Sequence, residues 1–491
     1  MRRVPPGPND WLCGFGNVNR LRKDPLRFLL DLGRTYGDIS RFRVPLPPFY
    51  IYLVNSSDLI RDVLVTKAKS FRKVTKATRV LQGIAGDGLL ISEGDFWLRQ
   101  RRLVQPAFHG SRMSRYADVV VAHTRRMLDG WRRTGFKPVP PHGTLINMPD
   151  EMRQLTLAII AKSLFDVELT GRAAQLSEVS RILTETTFRE VVSLFTLPDW
   201  LPLPSKRRKR WALQTLDQLI GEIIRARRAS GEDKGDLLSM LLLAVDEEGD
   251  SRGMTDQQAR DEAKSLFLAG HDTAAAALTW TCYAIARHPE VEARLYQEVE
   301  AVLGERPATI EDLPRLQYAE MVVKESLRLY PPIWDLTTRE AVSNVELGGY
   351  ELPKGSWIAV APYVTQRDPR FFANPDQFDP ERFGCHAHAI GVNKPDPGAQ
   401  QGVGMPRVEQ IPPYAYIPFG AGPHVCIGNT FAMMEMTLVV ATILQHFRVA
   451  LAPGQSEVVL QPDIMIRPKG GLQMAISKRA ALAMVEAGGQ G

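Results

Sequence analysis

The segment Phe419-Gly-Ala-Gly-Pro-His-Val-Cys426-Ile-Gly428 places one thiol at the start of a helical pattern, Asn429-Thr-Phe-Ala-Met-Met-Glu-Met-Thr-Leu. Gly420 and Gly422 permit a sharp turn with backbone angles that side chains forbid. Gly428 lets the backbone pass close to a bulky planar ligand. At a helix start, unpaired amide hydrogens and the positive end of the dipole favour thiolate over thiol. On a haem iron such a thiolate pushes electron density onto the metal and favours O–O cleavage. Two other readings fit parts of the string. Cys426 could be a buried residue of an ordinary strand-to-helix turn. A dinucleotide loop is the second, but Gly420-x-Gly422 lacks a third glycine three residues on.

A second set of reactive types lies in Ala269-Gly270-His271-Asp272-Thr273. It sits inside helical composition that follows the capping-box spacing Thr255-Asp-Gln-Gln258 and runs to His288-Pro289. Roughly thirty residues at 1.5 Å each give about 45–50 Å, enough to cross a domain. Gly is a poor helix former, and Thr next to Asp offers competing local hydrogen bonds, so the run predicts a groove opening in mid-helix. A mildly irregular buried helix is the alternative. Glu325 and Arg328, three apart in Lys324-Glu-Ser-Leu-Arg-Leu-Tyr-Pro, share one helical face. Trp97 and Arg101, four apart, share another.

With Pro380-Glu-Arg-Phe383, these motifs resemble the cytochrome P450 superfamily, whose haem loop reads Phe-x-x-Gly-x-Arg-x-Cys-x-Gly. The resemblance spans about Asp24 to Arg448. One position departs from it: His424 stands where the family has an Arg that pairs with a haem propionate. A His can still donate a hydrogen bond, but its charge depends on its surroundings.

The resemblance implies a mainly α fold, one α-rich domain with small β-sheets, with haem b between the long central helix and the Cys loop. It implies Cys426 as iron ligand, with Phe419 and Gly428 in its loop. Trp97, Arg101, Arg339 and His424 would face the propionates. Glu325, Arg328 and Arg382 would form a buried cluster that locks the core behind the haem. Ala269 and Gly270 would make room for O2, the Thr273 hydroxyl would hold a water there, and Asp272 would relay protons. Leu89, Phe188, Phe195, Phe267, Ile333, Trp334 and Leu336 would line the substrate pocket. These are largely apolar, which favours a fatty acid, terpenoid or polyketide-like substrate.

The implied activity is a monooxygenase inserting one oxygen atom of O2 into a C–H or C=C bond. Electrons would come from a ferredoxin or flavodoxin-type partner with its NAD(P)H reductase. A peroxide-driven peroxygenase and a non-oxidising isomerase or dehydratase are alternatives, but such relatives usually lack the Asp–Thr pair. A haem-based sensor would carry an output module, and none is evident.

At 491 residues the chain exceeds the usual single-domain size. The resemblance instead favours one domain at 24–478, after a Pro-rich lead at 1–23 and before a tail at 479–491. Helical patterns run from Pro106 to Trp131, Met152 to Leu164, Ala212 to Ser230 and Thr255 to Arg287. Strand-like runs are Phe49 to Val54, Val345 to Leu352 and Ser356 to Ala361. The N-terminus has no apolar run, so neither signal peptide nor anchor is expected. The four cysteines show no disulfide pattern. A cytoplasmic monomer is the simplest expectation. Cys385-His386-Ala-His388 has no fourth ligand in pattern and reads as loop.

A net charge of +6 is modest and does not point to nucleic acid. Lys206-Arg-Arg-Lys-Arg210, after the Pro-rich Leu197 to Pro204, reads as a solvated turn. By resemblance it caps the substrate entrance, where it could rest on anionic lipid or attract an acidic substrate. Gly384 to Pro413 is longer than the family usually has. It reads as a loop, and the resemblance implies that it sits on the face behind the thiolate, where the electron donor docks.

Overall fold

Asp256–Arg287 forms one helix through the middle of the molecule. In this computed structural model, residues 3–479 are described apart from 10–11, 47–48, 74–75, 109, 111, 134–143, 170, 172, 194–196, 244–252, 385–410 and 456. The Thr255 side chain accepts the Gln258 backbone N–H at 3.2 Å, and the Gln258 side chain accepts the Thr255 N–H at 3.0 Å. This is the reciprocal cap that the spacing predicts. The helix has 32 residues and is therefore about 48 Å long. It is buried from Ala259 to Ile285 with few breaks. Met148–Phe165, Pro204–Ser230, Gln317–Leu329 and Asn429–His446 pack around it. The Trp280 indole N–H donates to the Ile466 carbonyl at 2.9 Å and fixes its C-terminal half.

Asn429–His446, which follows the Cys loop, is buried from Met434 to Gln445 and lies between the central helix and Arg112–Arg133. A helix that is apolar nearly all round belongs in a core.

The sheets sit at the edge of the helical core. Five strands run in the order Ile39–Arg43, Tyr50–Val54, Trp357–Val360, Leu336–Ala341 and Phe71–Arg72. Leu336 pairs with Val360 and Arg339 with Ile358, so a bulge lies between Leu336 and Arg339. Partners two apart on one strand point the same way, so the bulge puts Leu336 and Arg339 on one face despite their odd spacing. A further sheet joins Thr144–Asn147, Gln473–Lys478 and Phe447–Leu451, and Leu460–Pro462 pairs with Ile466–Pro468.

The structure is mostly helical with small sheets, as the motifs imply. Some boundaries differ. The 106–131 pattern divides into a 3-10 turn at Gln105–Phe108 and the helix Arg112–Arg133. The 345–352 run is a hairpin turning at Gly348 and Gly349, whose φ values are 60° and 78°. Ala173–Val192 and Pro289–Leu303 are helices that the patterns do not mark.

The basic run is not a solvated turn. It forms the first turns of Pro204–Ser230, with Lys206 and Lys209 buried. Their ammonium groups each bridge Glu190 and Asp199 at 2.5 to 3.2 Å. Burial without those partners would be too costly, so the pairing holds the run inside. Arg207 and Arg208 point outward.

Among the described residues, no helix is long and apolar enough to cross a membrane, and no group of three or more His, Cys, Asp and Glu is arranged to hold a metal. Cys385, His386, His388, Phe195 and all but the ends of the 384–413 segment lie outside the described residues.

Candidate functional site

The Cys loop is tied at both ends. The Cys426 N–H donates to the Phe419 carbonyl at 3.0 Å, closing the turn. Gly420 and Gly422 have φ of 71° and 70°, where side chains are strained. A Cβ on Gly422 would also run into the Leu64 carbonyl. Gly428 differs. Its φ is −91°, and a Cβ there would meet only Phe108, at 3.9 Å. Nothing in the protein requires glycine at 428, so the demand comes from whatever approaches that face.

Cys426 is itself accessible within dense surrounding protein. Burial pushes its thiol up, outweighing the Gly428 N–H and Arg101, which pull it down. Burial thus opposes what the helix start favours at this sulfur. A metal at the sulfur would favour the thiolate.

Cations converge beside this loop. The Arg101 guanidinium donates to the Val425 carbonyl at 2.7 Å and lies 5.9 Å over the Trp97 ring. The His424 ring centroid is 4.1 Å from that of Trp97, and its buried Nδ1 has no hydrogen-bond partner. Burial, with Lys73, Arg339 and Arg101 nearby, pushes His424 down to about 3. Among these groups alone, His424 is thus neutral and carries no charge in an arginine's place. Lys73, which the motifs do not mark, is buried. Its ammonium donates to the Leu90 carbonyl at 3.3 Å and sits 3.8 Å from Glu93. Burial lowers it to about 8, so it remains mostly charged at neutral pH.

Behind the loop the Glu325, Arg328 and Arg382 cluster forms as the motifs imply. Arg328 grips Glu325 with two bonds at 2.7 and 2.8 Å, and Arg382 reaches it at 3.3 Å. Arg328 also donates to the carbonyls of Gln366, Pro375 and Gln377. The side chains of Glu325, Arg328 and Arg382 are almost fully shielded.

On the central helix, Ala269 and Thr273 are partly accessible while most neighbours are buried. The Thr273 hydroxyl donates to the Ala269 carbonyl at 2.7 Å, and the helix stays continuous. Gly270 does not widen the space at Ala269. Its missing Cβ admits Ile160 of the Met148–Phe165 helix, since a Cβ would lie 2.6 Å from Ile160 Cδ1.

Asp272 is buried, accepts from Ser180 at 2.9 Å, Thr184 at 3.0 Å and Arg467 at 3.3 Å, and lies 3.6 Å from Arg153. Burial raises its carboxyl, but His271, Arg467, Arg153 and Ser180 outweigh this and hold it low, hence ionised. It lines a cleft of about 660 Å3 with Arg153, Glu185, Arg189, Asp463 and Arg467. His271 is tied to the Phe267 carbonyl and Ser180.

The pocket expectations divide. Ile333, Trp334 and Leu336 are partly accessible, and Leu336 Cδ1 lies 3.9 Å from where a Gly420 Cβ would be. The Trp334 indole donates to the Asp463 carbonyl at 2.9 Å. Two expectations are corrected. Phe188 lines the Asp272 cleft. Phe267 packs on His271 at 5.1 Å, on a helix face turned about 160° from Ala269 at 100° per residue. Leu89 is buried, with its N–H on Glu262 at 3.0 Å, whereas neighbouring Leu90 is exposed.

The accessible thiol of the loop, a glycine that nothing in the protein needs, and Arg101, Arg339 and Lys73 drawn together fit a haem with two propionates. The comparisons agree. The cytochrome P450 family model matches residues 5–474. The chain is 36% identical over 442 residues to cyclooctatin synthase of Streptomyces melanosporofaciens, covering 89% of this chain and 88% of that one. It is 33% identical over 441 residues to cyclooctat-9-en-7-ol 5-monooxygenase of the same organism, covering 90% and 88%. Against pentalenene oxygenase of Streptomyces avermitilis it is 31% identical over 454 residues, covering 92% and 91%. The chain belongs to the cytochrome P450 family. It is an oxidoreductase of the monooxygenase type with a haem-thiolate cofactor.

Proposed function

We propose that the chain binds haem b and oxygenates a terpenoid at a C–H or C=C bond, using O2 and electrons from a ferredoxin or flavodoxin-type partner. The observations that carry this are the accessible Cys426 thiol beside Arg101, the cations gathered at His424, and the partial accessibility of Ala269 and Thr273 on the central helix. The relatives named for cyclooctatin, cyclooctat-9-en-7-ol and pentalenene favour a terpenoid over a fatty acid.

Haem held by Cys426 would supply O2 activation and oxygen transfer. The chain's own part is to hold, orient and protonate. Trp97, Arg101, Arg339 and Lys73 would hold the propionates, with His424 as a neutral hydrogen-bonding partner. Ile333, Trp334, Leu336 and Ala269 would hold the substrate and exclude water. Asp272, ionised and reached from the cleft, would take up a proton there. Thr273 would hold a water at the reacting oxygen. The ionised Asp272 beside Thr273 favours this over the peroxygenase and isomerase readings. We assign the 24–478 segment as one catalytic unit, cytoplasmic and monomeric, with the electron donor on the Cys loop face.

The test compares product formation from terpene hydrocarbons and alcohols with NADPH, ferredoxin and its reductase against peroxide alone. Turnover only with peroxide, or a red-shifted carbon-monoxide Soret band that survives Cys426→Ala, would overturn the reading.

A further inference from the structure

His271 stands next to Asp272 on the central helix, and its ring is fully buried. Nδ1 lies 2.7 Å from the Phe267 carbonyl. A carbonyl oxygen carries no proton, so the Nδ1–H must donate. Nε2 lies 2.9 Å from the Ser180 hydroxyl, and the same hydroxyl lies 2.9 Å from Asp272 Oδ2. One serine proton cannot serve both contacts. If Ser180 donates to the carboxylate, Nε2 must donate to Ser180, and the ring is a cation. If Ser180 donates to Nε2, Asp272 must itself carry a proton, or two lone pairs would face each other in a buried place. The contacts therefore close only with one proton more than a neutral ring and a carboxylate hold between them.

The charges around the pair leave room for that proton on the ring. Asp272 Oδ1 is 3.7 Å from Nε2, which gives a buried cation the partner that it needs. Arg153 and Arg467 also reach Asp272, from the Met148–Phe165 helix and the Ile466–Pro468 strand. Each has a second carboxylate: Arg153 bonds Asp150 at 3.0 Å, and Arg467 acts on Asp463, as does the exposed Arg189. From the Ala173–Val192 helix, Thr184 brings a neutral hydroxyl to Oδ2, while Arg181 is taken up by Glu178 and Glu185.

We infer that His271 stores a proton for Asp272 and passes it on through the Ser180 hydroxyl. The inference rests on the oxygenase reading above and deepens it, since Asp272 is the group through which that reading delivers protons. His271 and Ser180 act through Asp272, as positioning residues. In the transfer the Nε2–H bond breaks as a Ser180 O–H bond forms, and Ser180 gives its own proton to Asp272 Oδ2. The ring becomes neutral, the carboxylate becomes a carboxylic acid, and no heavy atom has to move. The reverse transfer reloads the ring when Asp272 takes up a proton from the cleft that it lines. A ring shut off from water has no shorter route. Burial raises Asp272, but His271, Arg467 and Arg153 hold it low, so at rest the proton sits on the ring.

The experiment uses the reduced, carbon-monoxide-bound holoenzyme, which is diamagnetic, with its histidine nitrogens isotope-labelled for NMR. It needs no turnover. The His271 signals are those lost in His271→Gln. At neutral pH both ring nitrogens are expected to carry protons. Asp272→Asn should leave a single proton, on Nδ1, because Arg153 and Arg467 then oppose a cation. In turnover, Ser180→Ala and His271→Gln should each lower kcat about tenfold, less than the about 100-fold of a direct acid–base group, with substrate affinity unchanged. Ser180→Thr, which keeps the hydroxyl, should recover most of the rate. The carbon-monoxide Soret band of each variant reports intact haem ligation. A neutral His271 ring in the wild type overturns the proposal. So does an equal rate in S180T and S180A, or a loss confined to substrate affinity, either of which would mean that Ser180 only packs. If the doubly protonated ring is present and depends on Asp272 while no O2-dependent product forms, the oxygenase reading fails and the proton store stands.

Discussion

The Gln366 side-chain oxygen accepts the Ile417 backbone N–H at 2.9 Å, while its nitrogen donates to the carbonyls of Leu327 and Arg328, each at 3.0 Å. One fully buried amide thereby couples the Glu325 helix to the approach of the Cys loop. Gln366→Leu strands the Ile417 N–H and should cost about 2–3 kcal/mol, read by chemical denaturation, with faster haem transfer to apomyoglobin. Unchanged stability and haem transfer would mean that the coupling is incidental.

In the proposed function Lys73 would supply the charge that a neutral His424 does not. Lys73→Met should speed haem loss about tenfold, as expected for a charged hydrogen bond worth at least about 1.4 kcal/mol. Adding His424→Arg to that variant should restore retention. If K73M releases haem at the wild-type rate, Lys73 has no part in holding it.

In the proposed function Asp272 would take up its proton from the cleft that it lines with Arg467. Asp272→Asn should lower kcat about 100-fold, within the usual range for acid–base groups. It should also enlarge the solvent isotope effect, with substrate affinity preserved. Arg467 helps hold the carboxyl low, so Arg467→Met should move the acid limb of the kcat profile to higher pH. An unchanged isotope effect in D272N would exclude Asp272 from proton delivery.

Glu435 lies in the Asn429–His446 helix, fully buried, with both carboxyl oxygens unpartnered. Burial raises it from 4.5 to about 8. The folded state thus keeps its proton where the unfolded chain releases it, and stability falls as pH rises from about 4.5 toward 8. Glu435→Gln should match wild type at pH 5 and exceed it at pH 9, by at most about 5 kcal/mol at about 1.4 kcal/mol per pH unit. Thermal unfolding at the two pH values measures this, and equal differences at both would refute it.

Leu197, Trp200, Leu203 and Trp211 are exposed around the start of the Pro204–Ser230 helix, Trp200 at 72%. Arg207 and Arg208 point outward beside them. With Lys206 and Lys209 neutralised inside, aromatic insertion rather than charge should dominate any weak contact with a lipid surface. Trp200→Ser should reduce sedimentation with phosphatidylglycerol vesicles more than Arg207→Gln does. The reverse order would restore a purely electrostatic account.

Site residues set by short spacings on one element are legible in the sequence. Glu325 and Arg328, Trp97 and Arg101, and Thr255 and Gln258 each declare a shared face. Lys73 and Gln366 give no such sign, because distant parts of the chain meet them only after folding. Arg339 is a sharper case: period-two reading puts it opposite Leu336, and the bulge brings both to one side. Phe188 and Phe267 misled for a related reason. Each lies on a helix near the pocket, but its rotation about that helix is set by tertiary packing. Gly270 is conspicuous as a poor helix former, yet its partner, Ile160, sits on another helix.

Gly422 seats the thiol loop against the Leu64 carbonyl, in the turn Asp62–Thr66 near the start of the chain. The ribosome makes that seat long before it reaches the cysteine. A chain trimmed past Leu64 would therefore present its sulfur without the carbonyl that seats the loop.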